Sequence, residues 1–110
     1  MHPTPKLFYQ EFHHYVAKDG TYDGIIKFIN QTMIFNDQGN IEKSSNTNMK
    51  VQAIINELRA TLDLDVEIAG EFEDLYIFMN ERLVEANLTK DNAILDEVLE
   101  LATEFRDTWK

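Results

Sequence analysis

The sequence predicts an all-α fold, an antiparallel up-down four-helix bundle with a short N-terminal element. The two prolines, Pro3 and Pro5, lie at the front, and only four glycines occur in 110 residues, so little interrupts helix formation. Apolar residues recur at helical spacing, and strand-like alternation is not sustained. Short joints between helical segments favour antiparallel neighbours. We expect one domain, with a cap-like segment at 1–20 and the bundle at 21–110.

The first two predicted helices cover residues 21–36 and 45–62. Gly39 follows the first helix as a left-handed stop, within a polar, loop-like stretch at 36–48. In the second helix, Val51 and Leu58 belong to an apolar set at helical spacing. A short connection, LDLDVE, leads to the next helix.

The last two helices are predicted at 65–86 and from about residue 90 to the end of the chain. Asp65 is a candidate cap for the third helix, and Asn87 is a natural terminal residue because Asn tolerates left-handed backbone angles. Thr89 or Asp91 opens the fourth helix.

Charge is distributed unevenly along the chain. The net charge is −10, and residues 1–62 hold six basic and six acidic side chains, so the whole excess lies from Asp63 onward. Such a surface repels phosphate, which argues against nucleic acid and anionic membranes as partners. It is either a solvated helix face or a surface that steers a basic partner.

Cysteine is absent, which removes disulfides, thiolate nucleophiles and Cys-based metal sites, and no apolar run is long enough to span a membrane. We expect a cytoplasmic protein. The one metal-like spacing is Glu11–His14, but no histidine follows it, and the adjacent His13 points about 100° away on a helix. No converging carboxylate pair or phosphate loop is indicated, so we expect no enzyme activity, no metal and no cofactor.

The third helix carries more apolar residues than one core face needs. One stripe comprises Ile68, Phe72, Leu75, Met79 and Leu83. A second, roughly opposite, comprises Ile77, Val84 and Leu88. Either neighbouring helices wrap this helix on several sides, or the second stripe lines a groove for a partner's amphipathic helix.

Four blocks of sequence together resemble one family. They are YDGIIKFI from Tyr22, KVQAIINELRATLDLD from Lys50, RLVEAN from Arg82 and FRDTWK from Phe105. In this order and spacing they are similar to the flagellar export chaperone FliS family. The residues that carry the resemblance are Tyr22, Asp23, Gly24, Arg82, Glu85, Asn87 and Trp109.

The resemblance implies a cofactor-free cytoplasmic chaperone with a four-helix bundle fold. It would bind the C-terminal region of flagellin, prevent premature polymerisation and deliver flagellin to the flagellar export apparatus, with the export gate as a further partner. The main alternative is a helical adaptor or regulator that binds another partner's amphipathic helix. A monomer and a dimer both remain open.

Apolar side chains off the main core stripes are the candidate partner-binding residues. They are Ile55, Tyr76, Ile77, Val84 and Leu88, and the alternative for each is packing within the bundle. Tyr22 and Trp109 are expected to lock helix ends together. Arg82, Glu85 and Asn87 are expected to fix the turn between the third and fourth helices, or else to touch the partner's backbone.

Overall fold

A computed structural model of the chain describes residues 20–108, which form four helices and, within that range, no strand. The helices are α1 (Thr21–Asp37), α2 (Ile41–Ala60), α3 (Glu67–Thr89) and α4 (Asn92–Thr108). The predicted all-α four-helix fold is confirmed. In the described range, no helix is both long and apolar enough to cross a membrane. The expectations about Glu11, His14 and Trp109, and about the front segment up to residue 19, lie outside the described residues.

The helices form a closed antiparallel ring, in which each packs against the next in sequence and α4 packs back on α1. Side-chain contacts fix the directions. Asn48 at the start of α2 donates from Nδ2 to the carbonyl of Leu83 near the end of α3, at 3.0 Å. Asp23 at the start of α1 meets Arg106 near the end of α4, at 3.4 Å. The up-down order therefore follows from short joints between long helices.

The core is the interior of this ring, and the predicted apolar spacings supply it. Leu83 and Met79 on α3 are fully buried, as are Ile25 and Ile29 on α1. The other buried apolar residues of this cluster are Tyr22, Val51, Ile55, Leu58, Phe72, Tyr76, Ala86, Ile94, Leu95, Val98 and Ala102. The first apolar stripe of α3 thus faces the core, as its spacing predicts.

One end of the core is aromatic and is pinned by a hydrogen bond across the ring. The hydroxyls of Tyr22 on α1 and Tyr76 on α3 lie 2.7 Å apart and are both buried. The Tyr22 ring stacks on Phe105 of α4 at a centroid distance of 6.0 Å, and Phe105 also meets Phe72 of α3 at 6.1 Å. Tyr22 therefore ties α1 to α3 and α4, which agrees with its expected role of locking helix ends.

The opposite end of the ring is polar. Thr32 on α1 donates to the carbonyl of Phe28 at 2.7 Å, and its hydroxyl lies 2.6 Å from that of Thr47 on α2. Asn36 accepts from the Ser44 hydroxyl and donates to Asn92 Oδ1 at 2.8 Å, which joins α1, α2 and α4. Since these buried groups are hydrogen-bonded, they satisfy one another without water.

The first joint is shorter than the sequence suggests. Helix α2 begins at Ile41 rather than at 45, because the Asn40 side chain accepts from the Lys43 amide at 3.2 Å and caps the helix. The predicted loop at 36–48 is therefore wrong for most of its length. Gly39 does adopt a left-handed φ of 69°, which confirms it as the stop.

The two boundaries of α3 also differ from the prediction. Asp65 does not cap it: the helix begins at Glu67 after an extended Val66 with no side-chain cap, and the Asp65 amide bonds to the Asp63 carboxylate at 3.1 Å. The helix continues through Asn87 to Thr89, and Lys90 adopts the left-handed conformation at a φ of 55°. The predicted end of the helix at Asn87 is therefore two residues too early.

The predicted opening of α4 at Asp91 is confirmed. This residue directly precedes the helix, and its carboxylate accepts from the Ala93 amide at 2.9 Å. The alternative start, Thr89, lies inside α3 instead, where its hydroxyl donates to the Glu85 carbonyl at 2.9 Å. A two-residue joint, Lys90 and Asp91, is enough to reverse the chain.

The tyrosine pair can be tested by removing one or both hydroxyls. Tyr22→Phe leaves the buried Tyr76 hydroxyl without its Tyr22 partner, so we expect a loss of about 1–3 kcal/mol in the free energy of unfolding. The double variant, Tyr22→Phe with Tyr76→Phe, removes donor and acceptor together. Its free energy of unfolding should be closer to that of wild type than the single variant's is. Urea unfolding followed by far-UV circular dichroism measures both. A double variant less stable than the single one would contradict the assignment.

The same pair should make the fold sensitive to alkali. Burial raises the pKa of Tyr76 to about 12 and raises that of Tyr22, also because of the adjacent Tyr76, from an ordinary value of 10.0. Below the unfolded pKa both states hold these protons, and stability is intact. As pH rises towards the folded pKa, only the unfolded chain loses them, so stability falls by up to about 1.4 kcal/mol per pH unit for each tyrosine.

We therefore expect the urea midpoint to fall between about pH 8 and about pH 11, and to fall less in the double Phe variant. The lysines and the remaining tyrosines are common to both proteins, so they cancel in the comparison. Equal falls would show that the buried pair does not couple to pH.

Candidate partner-binding groove

The second apolar stripe of α3 faces outward. Val84 directly follows the buried Leu83, and the exposed fraction of Val84 is 47%. Leu88, one turn further on, is 80% exposed, and Ile77, two turns before Val84, is half-buried. Because α3 borders solvent between α2 and α4, only one side of it is needed for the core, and the second stripe is left on the surface.

This stripe borders a shallow groove between α2 and α3. The groove has a volume of about 370 Å³ and is lined by Arg59 of α2 and by Ile77, Asn80, Glu81 and Val84 of α3. Spacings of three and four residues put all four α3 residues on one side of the helix. The arrangement gives an apolar floor with charged and amide groups around it, which suits an amphipathic peptide.

Two polar side chains cross the groove from opposite helices. Asn80 donates from Nδ2 to Asn56 Oδ1 of α2 at 2.8 Å. Arg59 Nη2 lies 3.5 Å from Glu73 Oε1, with both side chains about one third exposed. In the described part of the chain, Arg59 Nε and Asn80 Oδ1 are buried and have no hydrogen-bond partner.

The groove continues beyond Val84 towards the end of α3. The bonds between Asn56 and Asn80 and between Ser45 and Lys90 set the antiparallel register of α2 and α3. This register places the exposed Met49 of α2 level with Leu88 of α3. Apolar surface therefore extends along two helices, and a helical or extended segment could lie on it.

Two of the predicted partner-binding residues belong to the core instead. Ile55 and Tyr76 are both fully buried, so the expectation that they lie off the core is wrong. Ile55 falls in line with Val51 and Leu58 on the inner face of α2, and Tyr76 falls in line with Phe72 and Met79 on that of α3. A partner could reach either residue only if the bundle opened. Ile77 and Val84 come together at the groove, with Leu88 beyond them, and their binding role stays a prediction.

The family-motif residues of α1 act in packing. Asp23 pairs with Arg106, whose pKa is raised by hydrogen bonds to Asp107 and Asp23. Gly24 approaches α2 closely, since a Cβ built on it would lie 3.7 Å from Ile54 Cδ1. With Tyr22, these residues hold the start of α1 against the other helices.

Arg82 and its neighbours join α3 to α4. Arg82 donates to Glu85 at 2.7 Å, as the spacing predicts, and also to Glu97 of α4 at 2.9 Å. The bond to Glu97 is the main reason that the pKa of Arg82 is raised. Sequence reasoning missed Glu97, because no local spacing links it to Arg82.

Asn87 supports the joint from inside α3. Its Oδ1 accepts from Lys90 Nζ at 2.6 Å, and Lys90 also donates to Ser45 Oγ of α2 at 2.8 Å. Partial burial lowers the pKa of the Lys90 amine. The structural alternative for Arg82, Glu85 and Asn87 thus has contacts to support it.

The described residues contain no group of three or more histidine and acidic side chains that could hold a metal ion. Arg59, Asn80 and Glu81 line the groove but were not predicted as site residues. Their signal in the sequence is weak: Asn80 and Glu81 lie three and four residues from Ile77, and an asparagine within a helix has below-average propensity.

Comparison with known proteins agrees with this structure. The family profile described as "Flagellar protein FliS" matches residues 20–110. The "Flagellar secretion chaperone FliS" of Bacillus subtilis (strain 168) is 36% identical over 89 residues, which cover 81% of this chain and 67% of that protein. The protein of the same name from Salmonella typhimurium is 32% identical over 92 residues, covering 81% of this chain and 68% of that protein.

A third relative matches over a shorter region. The "Flagellar secretion chaperone FliSB" of Pseudomonas aeruginosa is 44% identical over 62 residues, covering 54% of this chain and 49% of that protein. The family profile spans most of the chain, and two of the relatives named above share one description in two organisms. The chain therefore belongs to the FliS family of flagellar secretion chaperones.

Proposed function

We propose that this chaperone binds the C-terminal segment of flagellin along the groove between α2 and α3. The observation that carries the proposal is the outward apolar stripe of α3, in which Val84 and Leu88 remain exposed while the helix already buries a complete second face. Exposed apolar side chains that recur along one side of a small domain are typical of an interaction site.

The chemistry of the groove suits an amphipathic segment that has no partner before assembly. Such a segment exposes an apolar stripe and would associate prematurely, and covering that stripe keeps it monomeric. Coupled folding and binding of this type buries about 1,000–3,000 Å² and loses about 2–5 kcal/mol or more to ordering, so the complex stays reversible. Reversibility is what delivery to an export apparatus requires.

The acidic surface supports a partner that carries positive charge beside its apolar stripe. Glu81 lies at the groove itself, and α3 and α4 carry most of the acidic excess. The negative electrostatic field of these residues raises the association rate with a basic segment more than it raises the affinity. We place this function in the cytoplasm, before export, where no cofactor is needed, and we propose the export gate as the next partner.

A charge placed in the groove tests the site. Val84→Asp should weaken binding of flagellin at least about 30-fold, because it puts a carboxylate where apolar contact is needed. Ile77→Asp should do the same. Isothermal titration calorimetry measures the affinity, and far-UV circular dichroism checks that helix content is retained.

Ile34→Asp is the matched control. Ile34 is 53% exposed, but it lies on α1, away from the groove, so its replacement should leave binding within about twofold of wild type. If Val84→Asp bound normally, or if Ile34→Asp were equally damaging, the groove would not be the binding site.

The identity of the partner is tested by truncating it. Full-length flagellin should form a one-to-one complex with the chaperone, and flagellin lacking its C-terminal segment should not. Size-exclusion chromatography with light scattering measures both stoichiometry and oligomeric state. If neither form bound, the chain would instead serve another partner's amphipathic helix.

A further inference from the structure

We infer that Arg59 and Asn80 form a selective polar contact within the groove, which takes one side-chain carboxamide, an asparagine or glutamine, from the apolar face of the bound segment. This rests on the proposed function, since it assigns a feature of the partner that the same groove binds. It would fix the register of an interaction that apolar contact alone leaves free to slide.

The first step is the unpaired state of the two groups. Arg59 Nε is a donor and Asn80 Oδ1 is an acceptor, and both are buried at the groove without a partner among the described residues. Buried polar atoms in folded proteins are nearly always hydrogen-bonded, so two orphans lining one groove are unusual. A partner group that hydrogen-bonds to both atoms would satisfy two polar groups that the bundle itself leaves unpaired.

The second step is access. Arg59 is held over the groove by one long contact to Glu73, at 3.5 Å, between side chains that are both partly exposed. Such an ion pair is weak because solvent screens it. The end of the Arg59 side chain can therefore shift without breaking a strong contact, and a small shift would admit an incoming side chain to Nε and to Asn80 Oδ1.

The third step is the chemistry of the ligand. A carboxylate can accept from Arg59 but cannot donate to Asn80, and it would also meet Glu81 at the same groove. A lysine can donate but cannot accept. A carboxamide offers both a carbonyl oxygen that can accept from Arg59 Nε and an amide N–H that can donate to Asn80 Oδ1.

The main chain of the partner is a poorer source of this amide. A helix satisfies its own backbone groups internally, and its side chains project from the axis towards the surface on which it packs. A side chain in the middle of the apolar stripe therefore reaches between Ile77 and Val84, whereas the backbone does not.

The orientation of the Asn80 amide can be fixed by its neighbour. Its Nδ2 donates to Asn56 Oδ1 at 2.8 Å, which turns Oδ1 inward. Asn56→Asp places a group there that can only accept, so it holds Asn80 in this orientation. Asn56→Asp thus tests the orientation, and Ile34→Asp on α1, away from the groove, serves as the control.

The test combines variants of the chaperone with a synthetic peptide of the flagellin C-terminal segment. Asn80→Leu should weaken binding about tenfold, or about 1.4 kcal/mol. Arg59→Lys, which keeps the charge but has no Nε, should weaken it similarly. The urea midpoint of free Asn80→Leu should stay close to wild type, because losing the exposed bond to Asn56 is offset by removing a buried orphan; a purely structural role predicts a clearly lower midpoint.

The peptide carries the second arm. Its Asn and Gln residues are replaced one at a time by Leu. At one position, the replacement should weaken binding to the wild-type chaperone about tenfold and should weaken binding to Asn80→Leu very little. This double-mutant cycle isolates the contact between that peptide residue and Asn80. Unchanged or tighter binding by Asn80→Leu would overturn the inference. If Asn80→Leu binds the peptide more weakly but no peptide position is coupled to it, the assignment to a side-chain carboxamide is wrong. The peptide main chain would then be the group that Asn80 contacts.

The two proposals fail separately. If Val84→Asp abolishes binding and Asn80→Leu has no effect, the groove stands and the polar contact is wrong. If Val84→Asp has no effect, both are wrong.

Discussion

The hydrogen bond between Tyr22 and Tyr76 joins the two helices that lie diagonally across the bundle, and the faces of α3 are best understood from it. In an antiparallel ring, each helix packs well against two neighbours, and the diagonal pair is held less closely. The two hydroxyls meet at 2.7 Å across that diagonal, between α1 and α3. Because both are buried, either one without a partner would be costly, so the bond favours the rotation of α3 that turns Tyr76 inward.

That rotation decides which residues of α3 reach solvent. With Tyr76 turned inward, Met79, Leu83 and Ala86 follow it into the core at spacings of three and four residues. Ile77 and Val84 are then turned out by the same 100° step. The groove is therefore not an independent feature of the surface. It is the reverse face of the helix that Tyr22 holds, and a change that rotates α3 would alter core and groove together.

The helix content and the order of the bundle could be predicted from sequence because they depend on local spacing. The second stripe of α3 was visible in the same way. Contacts made with another helix could not be predicted: the Tyr76 hydroxyl meets that of Tyr22, fifty-four residues away, and Arg82 reaches Glu97 on the next helix. Helix ends were misplaced where backbone conformation overrode side-chain preference. Val66 begins α3 without a cap, and Lys90 ends it in a conformation more usual for glycine or asparagine.

The unpaired groups at the groove belong to this same class of long-range features. Arg59 and Asn80 are ordinary surface residues in the sequence, and their orphan atoms exist only once α2 and α3 have packed. If the proposed contact forms, a chaperone of this kind gains from leaving them unpaired in the free state. Hydrogen bonds to these two groups within the bundle would stabilise the free protein. A partner could then gain no binding free energy by pairing with them. Apolar contact supplies affinity along the groove without selecting a register, whereas a donor and an acceptor at one place reject any partner that presents the wrong side chain there.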